Sequence, residues 1–66
     1  MKWDKLSAFY YTFTLGSIVK AAEKLDVTFS AVSKRIKSLE KEIGEEIAYK
    51  EGKRLVLTDK GREIID

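Results

Sequence analysis

Apolar residues recur at helical spacing through the first two-thirds of the chain and switch to alternation near its end. Leu6, Phe9 and Phe13 fall at i, i+3 and i+7, a stripe that predicts a first helix capped by Asp4 and running to about Leu15. Tyr10 and Tyr11 widen its apolar side, and Trp3 is expected to pack where the helix begins. Gly16 supplies the stop, because glycine takes the positive φ that a helix C-terminus often needs. Ser17 then caps a second helix, in which Ile18, Ala21, Ala22 and Leu25 repeat at i, i+3, i+4 and i+7. Two alanines on the buried face let another helix approach closely. The break at Asp26-Val27-Thr28 is very short: Asp tolerates a left-handed turn position, and Thr28 is a good N-cap.

The third helix is predicted from about Thr28 to Ile43 and is closed by Gly44. Val32, Ile36, Leu39 and Ile43 lie within about 60° of one another on a helical wheel, which makes them its core stripe. Ser30, Ser33, Lys34, Lys37 and Lys41 project away from that stripe, and Phe29 sits on the flank at the start. The period then changes. Ile47 to Tyr49, a tip at Lys50-Glu51-Gly52-Lys53, and Arg54 to Leu57 read as a hairpin, with Leu55 and Leu57 inward and Arg54 and Val56 outward. Thr58 is the N-cap of a final helix whose apolar face starts with Ile64 and Ile65.

The order helix, helix, tight turn, helix, hairpin, helix is that of a winged helix-turn-helix: mainly α with a small β-hairpin. It comprises a three-helix core, a two-stranded wing and the start of a fourth helix. In this motif the helix after the turn enters the major groove of DNA. With 66 residues and no linker, repeat or low-complexity stretch, residues 1–66 are expected to form one domain. A chain this short buries only about 60% of its unfolded surface, leaving no room for a deep catalytic pocket or a separate sensor module.

Composition narrows the chemistry. The chain has no Cys and no His, so it lacks a disulfide, a thiolate nucleophile, sulfur ligands for zinc and the usual general base. No enzyme activity, cofactor or metal site is expected. Asn, Gln and Pro are absent too, while Lys and Glu are abundant, a bias that hyperthermophile proteins often show. No apolar run approaches the roughly 18 residues of a membrane span, and Met1-Lys2-Trp3-Asp4 does not resemble a secretory leader. A cytoplasmic, nucleoid-associated location is the expectation.

Net charge is only +2, but the charges cluster. Residues 34–37 (KRIK) carry three positive charges, and residues 50–54 (KEGKR) carry three positive and one negative. Residues 40–46 (EKEIGEE) carry four negative charges and one positive. A helix fits the major groove, about 12 Å wide, and short serines beside Lys34 and Lys37 allow close approach to bases and phosphates. Lys50, Lys53 and Arg54 at the hairpin tip can neutralise phosphates and release counterions. The bland alternatives are an amphipathic core helix with a solvated outer face and a solubilising turn; the helix-turn-helix order favours the DNA reading. The acidic run has no oxygen-rich loop of the kind that holds Ca²⁺, and is expected to face away from a polyanion. Gly52-Lys53-Arg54 fails as a phosphate loop, because no Ser or Thr follows Lys53 and no glycine stands at the required spacing. The aromatics of the first helix could stack bases in a single-strand binder, but their helical spacing makes them core.

GSIVKAAEKLDVTFSAVSKRIKSLEKEIG, followed by LVLTDKG, resembles the N-terminal DNA-binding domain of LysR-type transcriptional regulators. Gly16, Ser17, Ala21, Ala22, Leu25, Val27, Ala31, Val32, Ser33, Ile36, Leu39, Glu40, Gly44, Leu57, Thr58 and Gly61 fall in register without gaps, and the likeness covers about residues 6–61. The resemblance implies recognition-helix contacts to DNA at Thr28, Phe29, Ser30, Ser33, Lys34 and Lys37, and wing contacts at Lys53 and Arg54. Three positions depart from the family: Phe29 stands where Gln is usual, Ala48 where Phe is usual, and Lys50 where Arg is usual. Gln can read adenine bidentately, whereas Phe can only touch a thymine methyl or pack against protein.

The expected function is sequence-specific binding of double-stranded DNA for transcription regulation. The recognition helix, about 28–43, lies in the major groove, and the wing, about 47–57, on the backbone or minor groove. The expected partners are duplex DNA and a second copy on two half-sites, with no membrane and no small-molecule effector for this chain. The family's long linker helix and effector domain have no counterpart in these 66 residues. The rival is a winged-helix protein-interaction module that does not bind DNA.

Overall fold

A computed structural model describes the backbone of residues 2–66 and the side chains of 3–66. The elements follow the order read from the sequence: α1 (Lys2–Leu15), α2 (Ile18–Leu25), α3 (Phe29–Ile43), β1 (Ala48–Glu51), β2 (Arg54–Leu57) and α4 (Asp59–Ile65). This is the winged helix-turn-helix arrangement, mostly helical with one two-stranded antiparallel hairpin.

α1 packs against both α2 and α3, and those two helices pack against each other. The core is built from Ala8, Phe9, Ala21, Ala22, Val32, Ile36, Leu39, Ile47 and Ala48. Phe9 is fully enclosed and meets Phe13 edge-on, with ring centroids 5.2 Å apart. α1 differs from its expected form at its beginning. Asp4 is not its cap but sits in the first turn, where a carboxylate still favours the positive end of the helix dipole. Trp3, expected to pack, is 71% exposed. The buried face also takes in Ala8 and Thr12, which the Leu6–Phe9–Phe13 stripe omits. Thr12 is satisfied locally, its Oγ1 donating to the Ala8 carbonyl at 2.7 Å.

The turn between α2 and α3 is built as the sequence implies. Asp26 adopts φ 57°, ψ 47°. Its N–H donates to the Glu23 carbonyl at 3.3 Å, while the Val27 N–H donates to the Ala22 carbonyl at 3.0 Å. These two bonds form a Schellman motif with Asp in the position usually taken by glycine. Thr28 Oγ1 accepts the Ala31 N–H at 3.1 Å and starts α3 immediately. α3 ends at Gly44, at φ 84°, as expected.

The hairpin is tighter than expected. Lys50 and Glu51 belong to β1, leaving Gly52 and Lys53 as a two-residue turn, with Ala48 opposite Leu57 and Glu51 opposite Arg54. Gly52 has φ 66°, and Lys53 is not among the positive-φ residues, the pattern of a type II′ turn that matches the strand twist. Ile47, expected in the strand, precedes it and is fully buried in the core. Leu55 and Leu57 are half-buried as predicted, but Val56, expected outward, is half-buried too, in register opposite Tyr49 on β1.

Candidate nucleic-acid interface

The serine and lysine positions of α3 follow from its spacing. Ser30, Ser33, Lys34 and Lys37 stand at i, i+3, i+4 and i+7, so burying Val32, Ile36 and Leu39 turns them outward together. Ser30, Lys34 and Lys37 are exposed and Ser33 is half-buried. Thr28 is exposed, but its hydroxyl is engaged as the N-cap of α3. Phe29 is 55% exposed, a large ring left open at the first position of the helix.

Two adjoining grooves join this helix to the wing. In one, Ser33 and Lys37 of α3 face Tyr49 and Lys50 of β1 across a floor of Ile18, Ile36 and Leu55. In the other, Phe29 lies with Lys50, Lys53 and Arg54 and with Ser17, Ile18 and Val19 at the start of α2. Ile18, Lys50 and Leu55 belong to both. Cations from two separate stretches of chain therefore border one continuous surface. Lys34 and Lys37 extend it along α3 into a third hollow with Lys41, Glu45 and Glu46. Lys50 occupies the junction, although nothing in the charge pattern set it apart from Lys53 and Arg54. The start of α2, with Ser17 and Val19, also borders the surface; its residues carried no charge signal that would have exposed it.

The acidic run does not face away. Glu40 and Glu46 border the same groove as Lys37 and Lys50. Glu40 is held there by structure rather than repelled: its Oε2 accepts the N–H of Ile47 at 2.9 Å and of Ala48 at 3.3 Å. Glu42 turns elsewhere and pairs with Lys5 of α1 at 2.7 Å. Charges that are segregated along the sequence are interleaved in space, because the chain reverses after Gly44 and lays residues 45–50 beside α3. Among the described residues, no group of three or more acidic side chains is arranged to hold a metal ion.

Residues 3–62 match the model of the bacterial regulatory helix-turn-helix proteins of the lysR family. The chain belongs to this family. It is 49% identical over 47 residues to the HTH-type transcriptional regulator LysG of Mycobacterium tuberculosis, a match covering 71% of this chain and 16% of LysG. It is 41% identical over 63 residues to the regulator TrpI of Pseudomonas aeruginosa, covering 96% of this chain and 21% of TrpI. The chain thus spans only a small part of the curated relatives it matches. Among solved structures, BenM DBD in its complex with catB site 1 DNA superposes with a TM-score of 0.85 at 25% identity, covering 98% of this chain and 71% of that one. A LysR-family transcriptional regulator from Eggerthella lenta gives 0.83 at 32% identity, covering 91% of this chain and 86% of that one.

Proposed function

We propose that residues 1–66 act as a single DNA-binding unit of a lysR-family transcription regulator, inside the cell where its target lies. In this reading α3 enters the major groove, and Lys53 and Arg54 of the wing grip the flanking backbone or minor groove. The observation that carries it is the continuous surface on which Ser33 and Lys37 of α3 adjoin Lys50, Lys53 and Arg54 of the wing. The family membership and the DNA complex of a structural neighbour support it.

Thr28, Phe29, Ser30, Ser33, Lys34 and Lys37 are assigned to the groove. The lysines supply phosphate or guanine contacts, the serines short hydrogen bonds, and Phe29 apolar contact with a thymine methyl. The longest dimension of the chain is 29 Å, shorter than the roughly 34 Å of one duplex turn that separates paired half-sites. One copy therefore covers one half-site, and two copies are needed for a full site. Trp3, Tyr10, Ile64 and Ile65 border an apolar groove between α1 and α4, the surface assigned to the second copy. Sensing of an effector is assigned to no residue of this chain.

Titration with a random duplex and with candidate operators at two salt concentrations, alongside the oligomeric state, tests the reading. A single copy is expected to bind at about 10⁻⁴ to 10⁻⁶ M, with affinity falling steeply as salt rises. Salt-insensitive behaviour with no retardation of any duplex would instead favour a protein-interaction module.

A further inference from the structure

Glu40 belongs to α3, yet its carboxylate is hydrogen-bonded to the base of the wing. One carboxylate oxygen accepts two successive backbone N–H groups, those of Ile47 just before β1 and Ala48 at its first position. The same segment is also held by the start of α4. Thr58 Oγ1 donates to the Glu46 carbonyl at 2.7 Å, the Thr58 N–H donates to the Ile47 carbonyl at 3.1 Å, and Gly61 lies directly against that carbonyl. The base of the hairpin is thereby anchored, while its tip at Gly52, Lys53 and Arg54 stands exposed.

Bonds from N–H to a carboxylate are charge-assisted, and Ile47 is fully buried, so removing the acceptor leaves a donor without replacement. The four residues from Ala48 to the turn form a lever about 13 Å long at strand rise. A tilt of about 15° at its base carries the tip cations roughly 3 Å, about a hydrogen-bond length, and off a phosphate.

We propose that Glu40 is a positioning residue that sets the angle between the recognition helix and the wing, so that both meet one duplex at once. This rests on the DNA-binding reading above. In the wild type, K53A/R54A should lower affinity for a random duplex about tenfold and reduce the log–log salt slope by about 2, one unit per cation. In an E40A background the same pair should cost less than about threefold, because a displaced wing no longer touches phosphate. E40Q retains an acceptor oxygen and should restore most of the coupling. E40D keeps the charge but shortens the reach; it should behave like E40A and replaces that variant if alanine prevents folding.

Equal penalties in both backgrounds would overturn the proposal. So would tighter binding by both E40A and E40Q, which would make the carboxylate a nearby repulsive charge and nothing more. Hydrogen exchange on the free protein supplies the independent readout: the Ile47 and Ala48 amides should lose protection in E40A or E40D, and unchanged protection refutes the clamp. A wild type that retards no duplex sinks the DNA-binding reading, and exchange alone then decides whether Glu40 holds the wing.

Discussion

Gly61 offers a test in which the sign of the effect is diagnostic. It lies in α4 and is buried. An ordinary helical glycine replaced by alanine gains about 1 kcal/mol, because alanine loses less backbone freedom on folding. Here a Cβ would overlap the Ile47 carbonyl oxygen and stand 3.0 Å from the Ile47 carbonyl carbon and 3.1 Å from Leu57 Cδ2. The obstruction is backbone, and that backbone is pinned on both flanks. The Ile47 carbonyl accepts the Thr58 N–H at 3.1 Å, and the Ile47 N–H is held by Glu40. Relief requires α4 to lift or the hairpin base to shift, and overpacking of this kind costs about 1–3 kcal/mol. Losing the Thr58 to Ile47 hydrogen bond adds about 1 kcal/mol. After the propensity gain, G61A should be destabilising by about 2 kcal/mol, a large share of the roughly 3–10 kcal/mol expected for a domain of this size. The melting temperature should fall by about 8–16 °C, followed by far-UV circular dichroism with urea unfolding as a check. E63A, at an exposed site of the same helix, is the control and should change stability by no more than about 0.5 kcal/mol. An unchanged or higher melting temperature for G61A would mean that α4 does not rest on Ile47 in solution.

Other predictions follow from single features. D26G relieves a non-glycine residue at φ 57° and should raise stability by up to about 1 kcal/mol in thermal unfolding; a loss would show that the Asp side chain itself supports the turn. S33A and K34A should change which duplex is preferred in a binding-site selection, whereas a uniform loss across sequences would remove both residues from base readout. Replacing thymine by deoxyuridine in a selected site removes only the methyl group. It should weaken binding of the wild type and leave F29A unaffected, and equal losses for both proteins would exclude Phe29 as the methyl reader. K5A breaks the pair with Glu42, whose side chains are 26% and 40% exposed, and should cost less than about 1 kcal/mol by urea titration.

Much of the molecule is written locally. Helical spacing, Ser17 and Thr28 as N-caps, Gly44 as a stop and Asp26 in the left-handed turn are decided within four or five residues of each position. For that reason they survive intact from sequence to structure. So does the outward face of α3, because once Val32, Ile36 and Leu39 are buried, helical geometry leaves Ser30, Ser33, Lys34 and Lys37 no other direction. Several of the misjudged features depend on how distant segments pack, although the place of Asp4 in α1 and the two-residue turn at Gly52-Lys53 are local. Trp3 has an apolar side chain yet is left 71% exposed; Val56 looked outward by alternation but is half-buried opposite Tyr49.

The candidate surface divides in the same way. Which residues carry cationic and hydroxylated side chains, and which face of α3 holds them, is legible from spacing alone. It took the folded chain to make Lys50 the junction between α3 and the wing, to bring the start of α2 to the border of the site, and to make Glu40 an acceptor for the hairpin base. The reason is physical. A helix or a cap is stabilised by neighbours a few residues away, whereas a carboxylate cannot reveal its partner until the chain has turned at Gly44 and brought Ile47 and Ala48 back to it.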